Sequence, residues 1–145
     1  MATPASPVYG KQFIRFAETA FVSETSDLKQ FTVVSIDINV PPTEPPTVTY
    51  SGGGESMGVN QSDILAVDSD RAVTFPRLAT IATSGLLLVQ ADDKAVPVQG
   101  AALTVTGGIA TSSAGGSAVT INGTAPTVRQ QVVIGGVSHV LVSFN

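Results

Sequence analysis

The sequence contains no cysteine, which excludes disulfide staples, thiol nucleophiles and zinc sites built on thiolate. It has one histidine, His139, so a metal centre made of several imidazoles is excluded too. Charged residues make up 12% of the chain, about half the roughly 25% usual in soluble domains. Seven basic residues against eleven acidic ones give a net charge of −4, and Arg15, Arg71, Arg77 and Arg129 are scattered. Nothing here forms a basic stripe for a nucleic-acid backbone. Tryptophan is absent, and tyrosine occurs only as Tyr9 and Tyr50. There is no apolar run of the roughly 18 residues that a membrane-spanning helix needs. The opening residues, MATPASPVYG, lack the basic and apolar regions of a secretory leader, and synthesis in a cytoplasm is expected.

What the chain does contain is strand-forming material. Its 145 residues suit one domain, and at 43% hydrophobic they can fill a core. Valine (20), threonine (16) and isoleucine (8) together supply nearly a third of the positions. These β-branched side chains are stiff at χ1 and suit a pleated strand better than a helix. With 14 glycines and 9 prolines as punctuation, the composition predicts an all-β chain.

Along the sequence, residues 1–10 read as an extended arm. Lys11 to Val22 has Phe13, Phe16, Ala17, Ala20 and Phe21 at helical spacing, but the β-rich composition favours a strand. Ser23 to Lys29 reads as a turn. Thr32 to Val40 alternates cleanly, which predicts one strand with Thr32, Val34, Ile36, Ile38 and Val40 on its buried face. Four prolines in PPTEPPT (41–47) predict a stiff polyproline-like connector. The chain is therefore expected to divide into an arm-and-strand segment, 1–46, and a β domain, 47–145.

Within that domain, short strands are predicted at Thr47–Tyr50, Asp63–Val67, Arg71–Phe75, Leu78–Ala82, Leu86–Gln90, Ala102–Thr106 and Ala118–Ile121. Ala91 to Lys94 reads as a polar hairpin turn leading into AVPV. Residues 127–134 and 137–144 flank Gly135-Gly136, a two-residue loop free to take positive φ, and predict a β-hairpin. The expected architecture is a small β-sandwich or barrel of about nine or ten short antiparallel strands.

Candidate chemistry is sparse. His139 and Ser138 are neighbours on a strand and point to opposite faces, so they do not form a base–nucleophile pair. Asp63, Asp68 and Asp70 are a conceivable cation cluster, although aspartate is common in turns because it bonds its own backbone. Asp92-Asp93 has the same explanation. Gly52-Gly53-Gly54 is followed by Glu55 and lacks the lysine and helix of a phosphate-binding loop. Asn122-Gly123 reads as turn chemistry, and neither it nor Asn60-Gln61-Ser62 is expected to be glycosylated. No cofactor and no catalytic residue are expected.

The stretch LLLVQADDKAVPVQGAALTVTGGIATSSAGGSAVTINGTAPT (86–127) resembles small β-structured virion proteins of tailed bacteriophages, among them capsid decoration (cement) proteins and fibre heads. The shared features are short Gly/Thr/Ala/Ser-rich strands, few charges and no cysteine, and no single motif carries the likeness. It implies a non-enzymatic virion protein that sits on an icosahedral shell as a dimer or trimer and bridges neighbouring capsomers. The expected partner is the major capsid protein, and the expected docking anchors are Phe13, Ile14, Phe16 and Phe21. A fibre or adhesin module that binds host glycan is the alternative. Between residues 95 and 145 the only charged residue is Arg129, where ordinary composition would supply roughly 13. That deficit predicts a homo-oligomer, with a trimer preferred over a dimer because shells offer threefold positions.

Overall fold

The computed structural model describes residues 12–23, 27–64 and 77–144. All the regular structure in these residues is β. The strands, in chain order, are β1 (Phe13–Val22), β2 (Val33–Ile36), β3 (Thr47–Tyr50), β4 (Gly54–Glu55), β5 (Gly58–Asn60), β6 (Leu78–Gln90), β7 (Thr104–Thr106), β8 (Ile109–Ala110), β9 (Ser117–Thr120), β10 (Thr127–Ile134) and β11 (Val137–Phe144). The arm at 1–10 and the strand at Arg71–Phe75 lie outside the described residues, as does most of Asp63–Val67.

Seven strands form one sheet in the order β1-β3-β2-β5-β6-β11-β10, and β1 also pairs with β6. That extra pairing closes β1, β3, β2, β5 and β6 into a five-stranded ring. Ala20, Val22, Leu28, Val34, Val48, Ala79 and Ile81 form its buried cluster, with Tyr50, Met57 and Ile64 packed against it. Beyond the ring, β6, β11 and β10 continue the sheet. A smaller sheet, β4-β9-β7-β8, shares a second core with them. That core joins Leu87, Val89, Val128, Val140, Val142 and Phe144 to Leu103, Val105, Ala110, Val119 and Ile121. The molecule is thus part barrel and part sandwich.

The long strand β6 joins the two halves. Its residues 78–86 pair with β1, and its residues 85–90 pair with β11. Sequence reading divides this strand at Thr83-Ser84-Gly85, but the chain runs straight through. Gly85 makes this possible. Its φ is +128°, and a Cβ there would lie 2.0 Å from the Phe13 carbonyl oxygen, so only glycine lets β1 approach this closely.

The boundary expected at residue 46 has no counterpart in the sheet. β1 and β2, from the first segment, are hydrogen-bonded to β3, β5 and β6 from the second. The proline-rich stretch connects β2 to β3, which pair antiparallel. It bends at Glu44 and Pro45, across a cis peptide bond.

The strand expected over Thr32–Val40 ends at Ile36. Asp37 takes over the next residues: its Oδ1 accepts a hydrogen bond from Asn39 N at 2.9 Å, which turns the chain. Ile36 and Ile38 are consequently 56% and 90% exposed, not buried. Ala95 to Val98 is likewise not a strand, so Ala91–Lys94 closes no hairpin. Two pairings, β1–β3 and β4–β9, are parallel. The final hairpin forms as expected, with Gly135 and Gly136 at φ +57° and +79° and Ile134 opposite Val137.

Candidate docking surface

β1 is anchored at both ends and exposed between. At its start, Gln12 accepts a hydrogen bond from Leu88 N at 2.9 Å through Oε1, and its amide donates to Gln61 Oε1 at 2.9 Å. At its end, Phe21 N donates to Pro46 O at 2.8 Å, and Ala20 and Val22 enter the ring interior. The register with β6 shifts twice, between Ile14 and Phe16 and between Phe16 and Ala17. Arg15 on β1 and Thr83 on β6 are the unpaired extra residues. Bulges of this kind re-aim side chains and break strict alternation, and residues 13–19 are all exposed.

The result is an apolar strip in solvent. Phe13 and Phe16 are each 65% exposed and Ile14 is 43% exposed. Phe16 also lines an open cleft of about 840 Å³ together with Arg15, Glu18, Ile36, Ile38, Met57 and Ile121. Phe16, Ile36 and Ile38 meet at this cleft, and Ile38 is the most exposed of the three. Of the four anchors expected from sequence, Phe13, Ile14 and Phe16 are exposed on β1, and of these Phe16 lines the cleft; Phe21 stands apart. It is half-buried and lines a separate groove of about 610 Å³ with Leu78, Glu44, Pro45 and Pro46.

Alternation assigns Ile36 and Ile38 to the core, which hides them as surface residues. The signal that could have found them is Asp-x-Asn across 37–39, a turn-forming pattern. Asp37 holds that turn tightly. Besides Asn39 N, its carboxylate accepts a hydrogen bond from Ser23 Oγ, and its own N–H donates to Thr47 O at 2.8 Å. The Ser23 hydroxyl, and after it the Asn39 N–H, hold its pKa below the usual 3.8 against a small desolvation effect. Ile38 is therefore presented on a fixed turn.

The cleft also carries Arg15, Glu18 and Glu55, and the last of these is committed to structure. Glu55 accepts hydrogen bonds from Thr120 Oγ1 at 2.9 Å and Gly123 N at 3.2 Å, tying β4 to the Asn122-Gly123 turn. That turn is as read from sequence: φ is +52° and +79°, and Ile121 and Thr124 exchange both main-chain bonds.

The remaining candidates are occupied with structure. His139 is 7% exposed, its Nδ1 is 2.9 Å from Val137 O, and Phe31 meets its ring edge-on at 5.7 Å. Phe31 has φ +63°, held by bonds from its N–H to Asn60 O and from Gln90 N to its own carbonyl, each 2.7 Å. Asp63 accepts from Gln30 N at 2.8 Å, and Asp68 and Asp70 lie outside the described residues. Asp92 accepts from Lys94 N and Asp93 from Ser138 N. Among the described residues, no group of three or more His, Asp or Glu side chains is placed to hold a metal ion. No described helix is long and apolar enough to cross a membrane. Comparison with protein-family models, with curated proteins and with solved structures returned no match.

Proposed function

We propose that this protein is a non-enzymatic structural protein of a phage particle, a decoration protein that docks on the assembled capsid shell through the β1 strip. The observation that carries the docking assignment is the exposure of Phe13, Phe16 and Ile38 on a firmly anchored framework. Exposed apolar side chains held in place lose little conformational entropy when a partner covers them. Large anchors of this kind supply most of the affinity at protein interfaces. The partner surface the strip fits is apolar, with polar groups to meet Arg15 and Glu18.

The choice of a shell as partner rests on the resemblance of residues 86–127 to phage decoration proteins. The mechanism would be linkage: a protein that binds the assembled shell and not the free subunits shifts the equilibrium towards the shell. Many copies acting together make modest contacts sufficient.

Co-sedimentation of the full chain with assembled phage capsid shells, and with the same major capsid protein left unassembled, tests this reading. Saturable binding to shells, with none to unassembled capsid subunits, is expected. Absence of binding would refute it.

A further inference from the structure

Among the described residues the seven-stranded sheet has two stretches of open edge, β1 ahead of Phe21, where its pairing with β3 begins, and β10 at the other end. The β1 edge carries Arg15 and Glu18 and is broken by two register shifts, the devices that blunt a free edge. Part of β10 is covered: Val128 N donates to Ala101 O at 2.9 Å, and Gly100 N donates to Val128 O at 2.8 Å. After the register shift between Val128 and Gln130, the outward main-chain groups of β10 have no main-chain partner among the described residues, and the flanking segment reaches β10 only through Gln131 Nε2, which donates to Pro97 O at 2.9 Å. In a two-residue hairpin the closing pair, here Ile134 with Val137, is hydrogen-bonded. Alternation then directs the N–H and C=O groups of Val132 and Gln130 to β11, and those of Gln131 and Val133 outward.

This edge lacks the usual protection. Natural edges are blunted with lysine, proline or other charges, but Gln130–Ile134 contains none, and Gln130, Gln131 and Val133 are exposed. The remaining edges, β4 and β8, are two residues long, and β8 is already bridged to Ala91. A head-to-tail assembly needs two different complementary edges. With the β1 edge blunted by charge and bulges, the unprotected edge of β10 finds its nearest complement in the same edge of another copy.

We infer that two copies join through β10, antiparallel about a two-fold axis at Val132. Gln131 of each chain then exchanges both main-chain hydrogen bonds with Val133 of the other, four bonds in all, around a central Val132–Val132 pair. That pair unites two apolar clusters, since Val132 already packs with Leu88 and Leu141. The register also disposes of the one charge nearby: Arg129 falls opposite Gly135 of the second copy, far from its own equivalent. Pairing uses up the edge, so assembly stops at two. The self-complementary β10 edge favours this pair over the threefold arrangement expected from composition. The β1 strip takes no part, so shell binding and dimerisation stand or fall separately.

Sedimentation equilibrium across the micromolar range should give twice the chain mass of 14.8 kDa. Gln131→Pro removes an outward N–H, and Val133→Lys places a charge at the seam. Each should weaken association at least tenfold while keeping the wild-type circular dichroism spectrum. If Gln131→Pro fails to fold, Val133→Lys alone decides. In this cysteine-free chain, Val132→Cys should cross-link to itself on mild oxidation, because non-hydrogen-bonded pairs bring Cα atoms within disulfide range. Val133→Cys should not. A monomeric or trimeric wild type, dimers undisturbed by Val133→Lys, or the reverse cross-linking pattern would each overturn the inference.

Discussion

Two glycines separate two kinds of backbone requirement. Gly136 takes φ +79° in open space, with no atom within 4 Å of a built Cβ, so its demand is purely conformational. Gly136→Val should lower unfolding free energy by about 1–2 kcal/mol in urea titrations, the usual cost of a left-handed side-chain residue. Gly85→Ala adds a collision with the Phe13 carbonyl, and should cost about 2 kcal/mol or more, the larger part from displaced backbone. Equal effects from the two variants would mean that β1 does not press on β6 as described. Asp37 carries a different kind of local demand. Its pKa is lowered in the folded protein, so its hydrogen bonds to Ser23 and Asn39 contribute fully above the usual 3.8. The contribution disappears as pH falls from there through the lowered folded value. Asp37→Asn should accordingly reduce stability at neutral pH and flatten the acid limb of a stability–pH profile. An unchanged acid limb would remove Asp37 from its role in fixing the Ile38 turn.

Strands set by local chemistry are legible in the sequence, and strands set by distant contacts are not. The hairpin of β10 and β11 announces itself because Gly135-Gly136 lies between two apolar-rich runs. β6 reads as two strands because Thr83-Ser84-Gly85 has turn composition. Its glycine serves instead to admit β1, which lies some 70 residues away in sequence. β2 reads too long because alternation continues through Ile38, while the Asp37 side chain ends the strand. The exposed apolar residues proposed as docking anchors are half legible. Phe13, Ile14 and Phe16 stand out as apolar residues in an N-terminal segment, whereas Ile36 and Ile38 look like core. The largest consequence concerns β1 itself. Because it closes the ring and buries Ala20 and Val22, a chain lacking residues 1–22 should lose cooperative unfolding and expose the ring interior to hydrophobic dyes. A truncated chain that melts with the wild-type midpoint would make β1 an appendage.

The molecule places its stability and its contacts in different regions. Both cores lie away from residues 13–19, so side chains there can be replaced at little cost to the fold: Phe13 and Phe16 bury only about a third of their surface. Charge depletion leaves the surface with little to repel a partner, and the fixed framework lets apolar anchors dock without reordering. The proposed role makes the β1 strip, on this framework, what holds the protein on a shell. Parallel co-sedimentation of wild type and Phe13→Ser/Phe16→Ser with assembled capsid shells decides the matter. The double variant should keep the wild-type melting temperature within a few degrees and bind at least tenfold more weakly, the loss expected when interface anchors are truncated. Wild-type affinity in the folded double variant would show that the strip does not hold the protein there.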